Sequence, residues 1–354
     1  MFLGSAVRAV SSAHVLDVAL MLPKMLPDIL VTATDMMDRS LLPAFTVFDS
    51  GGFLIALEGR FDEADSYLHK LIRIYRKVAA PNDLLLQLDL PILPTMDPKV
   101  RLELQKKNVR YFKVMSKIFG SRLVPVLHGW SRTEWDIQLE AVYRSRIIAV
   151  GSFFGFVAPS IKKVKSIRLD PKVVATRLVD VTRYLLRHTN ARLMLLGAGS
   201  PKALYIAAAL GYEIADSSTW RVAAFFGEVY NPITLDRVKV YETKDFAVFR
   251  EAYREIEASY GAPWDFDTWL QLAMERSRIG YIARAWFNAM VGKLVQHRLE
   301  SMSEDKLIRE MMRLYEKSTR WKTIAKIVAR YAHYQGFKKA VSRSDRVVQC
   351  LSST

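Results

Sequence analysis

The chain has 354 residues, 51% of them hydrophobic and 25% charged, with a formal net charge of +16 and one cysteine. Length and composition of this kind give a globular chain with a large core and exclude a disordered or fibrous one. The charge surplus draws polyanions, which puts nucleic acid first among partner classes, and the lone Cys350 excludes an intramolecular disulfide and any cysteine-rich zinc site.

The N-terminus lacks the basic, apolar and small-residue pattern of a signal peptide. The apolar stretch 15–31 is broken by Asp17, Lys24, Asp28 and two prolines, so no membrane span is expected and the chain reads as cytoplasmic. Short apolar runs then follow in order at 29–32, 44–48, 83–88, 123–127, 147–150, 193–196 and 213–215. Most of them end in Asp, Gly, His or Ser. Between them lie stretches with helical spacing, at 62–78, 98–119, 132–144, 171–188 and 201–210. Repeated strand–helix units imply a parallel sheet, and this many in this length predict an α/β fold of the (β/α)8 TIM-barrel kind, with working residues at the C-terminal ends of the strands.

The expected organisation is a barrel over residues 1–300, with an irregular insertion around 222–270, and a basic helical C-terminal extension over 301–354. Lys322, Lys326 and Arg330 belong to that extension, where Tyr315, Trp321 and Tyr331 are interleaved. Such a helix can follow a phosphate backbone and offer stacking faces, or it can pack its aromatics on the barrel.

Four strand-end segments carry candidate chemistry. "FDSGGF" at 48–53 supplies Asp49 and Ser50, and "PNDLLLQLDLP" at 81–91 supplies Asp83 and Asp89. "VPVLHGW" at 124–130 supplies His128. "LLGAGSPKAL" at 195–204, followed by "LGYEIADSSTWR" at 210–221, supplies Asp216 with Trp220 and Arg221.

In this order the segments resemble the tRNA-guanine transglycosylase superfamily, whose members are (β/α)8 barrels. They exchange a guanine in a polynucleotide for a free 7-deazaguanine without cutting the backbone. The similarity covers residues from about 28 to about 221 and continues weakly through "SRIGYIARAWFNAMV" at 277–291. The resemblance implies Asp216 as nucleophile, Asp49 as acid/base, and Asp83 as the carboxylate on the guanine edge, with Asp89 a second acid at the family spacing. Ser50 lies beside the base site. His128 stands in place of the family's glutamine, and Gly151 and Ser152 in place of a glycine pair whose backbone helps bind the base. Leu196, just before Gly197, would cover the base.

The chemistry asks for these residue types. Remaking a glycosidic bond with the same stereochemistry needs a carboxylate that attacks the sugar carbon and holds it covalently. A second carboxyl in a dry cleft can manage protons on the departing and incoming bases, and an ionised carboxylate accepts both N–H groups of the guanine edge. The target nucleotide must be flipped out, with Trp130, Phe153, Phe154 and Trp220 available as stacking surfaces and Arg221 for a phosphate. Each residue also has a structural alternative: the aspartates as helix caps, the aromatics as core, Arg221 as a salt-bridge partner.

The tRNA-acting members carry a three-cysteine, one-histidine zinc site after the nucleophile, which one cysteine cannot build, so neither metal nor cofactor is expected. "HGW" at 128–130 and "DSSTW" at 216–220 are similar to the branch that modifies DNA. DNA is therefore the expected polymer and tRNA the alternative, with 7-cyano-7-deazaguanine or a relative as incoming base. A non-catalytic nucleic-acid-binding barrel and a homodimer both stay open.

Overall fold

The computed structural model describes residues 2–6, 29–32, 45–52, 55, 59–151, 153, 169–198, 200–217 and 219–335. Ser152, Phe154 and residues 336–354, with Cys350 among them, lie outside the described residues.

From Thr46 to Phe225 strands and helices alternate, with Leu123–Val124 and Val126–Leu127 the one pair of strands in succession among the described residues. Strands β1 (Phe2–Ala6), β2 (Ile29–Thr32) and β3 (Thr46–Asp49) precede helix α1 (Ala64–Val78); β4 (Leu84–Leu86) precedes α2 (Pro98–Phe119). Then come β5 (Leu123–Val124), β6 (Val126–Leu127), α3 (Arg132–Val142), β7 (Ile147–Val150) and α4 (Pro171–His188). The series ends with β8 (Arg192–Leu195), α5 (Pro201–Ala209), β9 (Ile214–Ser217) and α6 (Thr219–Phe225).

Local sequence explains where the helices begin. Asp97 and Asp170 accept hydrogen bonds from the backbone N–H of Lys99 and Lys172, and the intervening Pro98 and Pro171 sit in the first turn, where a missing N–H costs nothing. Helix α1 buries Ala64, Leu68, Leu71, Ile72, Tyr75 and Val78, a stripe at three- and four-residue spacing that faces the sheet.

The described strands β1 to β9 form one parallel sheet in the order β5-β4-β3-β2-β1-β9-β8-β7-β6. Its two end strands are consecutive in the chain, separated by Pro125 alone. The segment bonds to β4 through Gln87 N–H on the Val124 carbonyl (3.0 Å) and to β7 through Ala149 N–H on the Pro125 carbonyl (2.9 Å). Pro125 has no N–H to give, which splits what is otherwise one strand into two short pieces.

Side chains alternate between two cores. Leu30, Val47, Leu86, Val124, Val126, Ala149, Met194 and Ile214, one or more from each of β2 to β9 in turn, form a cluster built from strands alone. Their neighbours Phe48, Leu85, Leu123, Leu127, Ile148, Leu193 and Ala215 belong to the larger core shared with the helices. Asp49, His128, Gly151, Leu196 and Asp216 each lie two residues beyond a member of the strand-only cluster. They therefore fall on its face, at the C-terminal ends of their strands.

The stretch around 222–270, expected to be irregular, contains an antiparallel hairpin of β10 (Glu228–Tyr230) and β11 (Arg237–Lys239), then α7 (Ala247–Tyr260) and α8 (Phe266–Met274). Helix α9 (Arg278–Glu300) is buried on all sides from Gly280 to Val295, the mark of a helix inside a core. In the basic extension, α10 (Glu304–Leu314) packs on α5, and α11 (Thr319–Gln335) packs on α4. Tyr315 and Tyr331 are buried there, and Tyr315 stacks on Trp321 with centroids 5.7 Å apart, so these aromatics face inward and are not a stacking surface. Among the described residues no helix is long and apolar enough to cross a membrane.

Candidate active site

Three carboxylates meet above the C-terminal ends of the strands: Asp49 of β3, Asp89 beyond β4, and Asp216 of β9. Burial pushes the Asp49 carboxyl up to about 8, and the negative charges of Asp89 and Asp216 add to the rise. The backbone N–H groups of Gly51 and Ser50 pull in the other direction and do not offset it. At neutral pH Asp49 thus holds a proton between two other acids.

Asp216 is aimed by a backbone donor. The N–H of Gly197 gives a 2.6 Å hydrogen bond to its Oδ1, and Gly197 has φ +66°, a conformation that a glycine adopts without strain. Leu196, half-buried, precedes it and is anchored by its own N–H on the Val150 carbonyl at 2.9 Å.

Asp89 is held from both sides. Ser50 Oγ donates to its Oδ1 at 2.7 Å, and His128 Nε2 lies 2.8 Å from its Oδ2. Gly52 explains the second glycine of "FDSGGF": a Cβ there would stand 1.8 Å from the Asp89 carbonyl oxygen, so only glycine lets the two loops meet. Gly151 does the same for His128, whose Cε1 would lie 2.7 Å from an added Cβ. Tyr75 ties the ends of β3 and β4 together, its hydroxyl within hydrogen-bond reach of the carbonyls of Leu86 (2.8 Å) and Phe48 (3.1 Å).

The supporting amides come from helices and are absent from the sequence-based site. Gln138 of α3 accepts from His128 N–H at 3.3 Å and donates to its carbonyl at 2.5 Å, and Gln105 of α2 donates to the same carbonyl at 3.1 Å. Asn108 grips Leu90, accepting from its N–H at 2.8 Å and donating to its carbonyl at 3.0 Å. All three amides are buried, and each spends its hydrogen bonds on backbone groups of the segments that follow β4 and β6. Polar residues on the apolar stripe of a helix, such as Gln105 and Asn108 amid Leu104, Tyr111 and Phe112, are the signal that marks them.

Not every expected residue joins this cluster. Asp83 lies before β4, at the other end of the sheet, because the register Val47↔Leu84 sets it beside Thr46, the first residue of β3. Its oxygens accept from the N–H groups of Thr46 (2.9 Å) and Ala80 (2.6 Å). Three residues of strand, about 10 Å, separate that level from Asp49. Of the two acids of "NDLLLQLD", Asp89 is the one that joins the cluster. Ser50 is fully buried and spends its hydroxyl on Asp89, which makes it a positioning residue. Trp220 and Arg221 are each 1% exposed, the first within the main core and the second with its Nε 3.3 Å from the Tyr281 hydroxyl, so neither presents a surface to a polymer. Trp130 and Phe153 are likewise buried against each other, with centroids 5.0 Å apart.

The position of Asp83 yields a discriminating test. Asp83→Ala strips acceptors from two backbone N–H groups, a loss of about 1–3 kcal/mol per group left buried and unpaired. Urea denaturation should register that loss while the chemistry of the cluster stays intact. An Asp83→Ala protein of unchanged stability and no activity would return Asp83 to the site.

The Asp49–Asp89–Asp216 constellation can do two things at once. It offers one carboxylate oriented for attack and one carboxyl still carrying its proton, the pairing that displacement at a glycosidic carbon requires. No metal-holding group of three or more acidic, histidine or cysteine side chains occurs among the described residues. In comparison with known proteins, no family model and no curated protein matches the chain.

Proposed function

We propose that this chain is a (β/α)8-barrel guanine transglycosylase that exchanges guanine in DNA for a free 7-deazaguanine base through a covalent intermediate on Asp216. The observation that carries the reading is the carboxyl pair: Asp49, with its pKa raised to about 8, beside Asp216, which is aimed by the Gly197 N–H. The barrel is supported by the strand order, whose ends flank Pro125, and by the apolar cluster assembled from alternate residues of successive strands.

In the first half-reaction an Asp216 oxygen bonds to C1′ of the flipped nucleotide as the C1′–N9 bond breaks. The bonding pair leaves with guanine, and the Asp49 proton passes to the departing base. In the second, N9 of the incoming base bonds to C1′ and displaces the carboxylate, while its proton returns to Asp49. Two inversions give retention, and nothing is consumed. Asp89 is the acceptor for the guanine N–H edge, fixed by Ser50 and His128, with its side chain 10% exposed. DNA is favoured over tRNA by the "HGW" and "DSSTW" segments and by the missing cysteines.

The test incubates the protein with labelled 7-cyano-7-deazaguanine and either duplex DNA or transcribed tRNA, then counts acid-precipitable label. Label in DNA above tRNA is the expected result. Label in tRNA alone reverses the polymer, and label in neither overturns the proposal.

A further inference from the structure

At the end of the sheet opposite the carboxylates, five arginines gather that form no ion pair among the described residues. Arg144 and Arg146 follow α3 and lead into β7, Arg183 and Arg187 occupy the last turns of α4, and Arg330 lies on α11. Hydrogen bonds hold these segments side by side. Thr189 Oγ1 donates to the Tyr143 carbonyl at 3.2 Å, and Arg192 N–H donates to the Arg146 carbonyl at 2.9 Å. The Arg183 guanidinium stands over the Tyr331 ring, 5.3 Å from its centroid, which brings α11 against α4.

The arginines on this ridge are poorly neutralised. Glu213 is taken by Arg192 at 2.7 Å and Asp180 by Arg177 at 3.6 Å, and no ion pair reaches Arg144, Arg146, Arg183, Arg187 or Arg330 among the described residues. Asp136 accepts a hydrogen bond from the Tyr184 hydroxyl. Arg183 Nε is buried with no hydrogen-bond partner, and the other four arginines are exposed. Lys326 and Lys322 continue the row along α11, one helical turn apart.

Protein interfaces have an apolar centre and membrane-seated helices an apolar face. Here, among the described residues, the large exposed hydrophobic side chain is Tyr143, and Arg144 lies over its ring at 5.2 Å. Guanidinium groups on a ridge that has no broad apolar face fit the planar, doubly accepting oxygens of phosphate diesters. We infer that this ridge binds the phosphate backbone of duplex nucleic acid at a distance from the exchanged nucleotide. It grips a stretch of polymer other than the one in the site, since a strand length of the sheet separates the two. The inference takes the class of polymer from the proposed function, but its test needs no catalysis.

The experiment measures binding of a fluorescent duplex of about 30 base pairs by anisotropy between about 50 and 200 mM salt. The wild-type chain is compared with a variant carrying Arg144→Ala, Arg146→Ala, Arg187→Ala and Arg330→Ala, all at exposed positions. Each phosphate contact contributes about 0.9 to the slope of log K against log salt, so the slope should fall by about three to four and the affinity at least about thirtyfold. An unchanged thermal midpoint confirms the fold; should it fall, Arg→Lys at the same positions keeps the charge and should restore the slope. Equal slopes and affinities for the two proteins overturn the inference. So does a wild-type chain that binds vesicles of anionic lipid in preference to duplex and loses that binding in the variant. Duplex binding through the ridge without base exchange sinks only the proposed chemistry, and exchange with unaltered binding by the variant sinks only the ridge.

Discussion

Asp216→Asn abolishes incorporation of labelled 7-deazaguanine, by on the order of 10⁴-fold or more, and leaves the fold standing. The amide oxygen of asparagine can still accept the Gly197 N–H that Asp216 Oδ1 accepts at 2.6 Å, so the loop after β8 keeps its conformation. What is lost is the negative oxygen that, in the proposed reaction, bonds to C1′. The substitution leaves Asp89 and the other polar groups in place, so the variant should retain affinity for the polymer while kcat collapses, the signature of an interaction made only on the way to the transition state. A denaturing gel of wild-type protein with labelled polymer and no incoming base should show a covalent adduct that the variant lacks. Undiminished incorporation by Asp216→Asn would falsify the assignment.

Part of this site is legible in the sequence. Apolar runs ending in polar residues locate β3, β7, β8 and β9, because a strand buried on both faces has few other ways to be written. The same logic mislocates Asp83. "NDLLLQLD" has an acid at each end of one apolar run, and spacing alone does not say which end faces the carboxylates of the other strands; the register Val47↔Leu84 does. "FDSGGF" is legible as a place where backbone must approach something, but its object, the Asp89 carbonyl, lies in another loop. Trp220 reads as a platform from its position after Asp216, yet it follows directly on the first residue of α6, on the side turned to the core. Gln105 and Asn108 are marked in sequence only as polar residues on an apolar helix stripe, and the backbone each one clamps lies in another segment that spacing does not reveal. The run 123–127 reads as one strand, whereas the residues on either side of Pro125 pair with two different strands.

Asp49→Asn makes the protein more stable at neutral pH and less active, and the two effects have one cause. In the folded chain the Asp49 carboxyl is pushed from 3.8 up to about 8 by burial and by Asp89 and Asp216, while in the unfolded chain it returns to its ordinary value. Between those values the folded state holds a proton that the unfolded state has released. The stability Asp49 contributes is therefore complete below about pH 4 and is lost as pH rises toward 8, by up to about 1.4 kcal/mol per pH unit. At pH 7 the accumulated penalty approaches about 4 kcal/mol, an upper value for one proton. Asparagine is neutral at every pH, accepts from the same Ser50 and Gly51 N–H groups, and escapes that penalty. Urea denaturation of both proteins from about pH 5 to 8 should give curves that diverge upward in pH, the variant being the more stable, because the other acids of the cluster are common to both. Base exchange should fall by about 10² to 10⁴ in the variant, which has no proton to give the departing guanine. In the wild-type chain the first half-reaction should weaken above about pH 8, where Asp49 ionises. Parallel stability curves would mean that Asp49 is ionised in the folded protein at neutral pH. The proton donor would then have to be sought elsewhere among the three carboxylates.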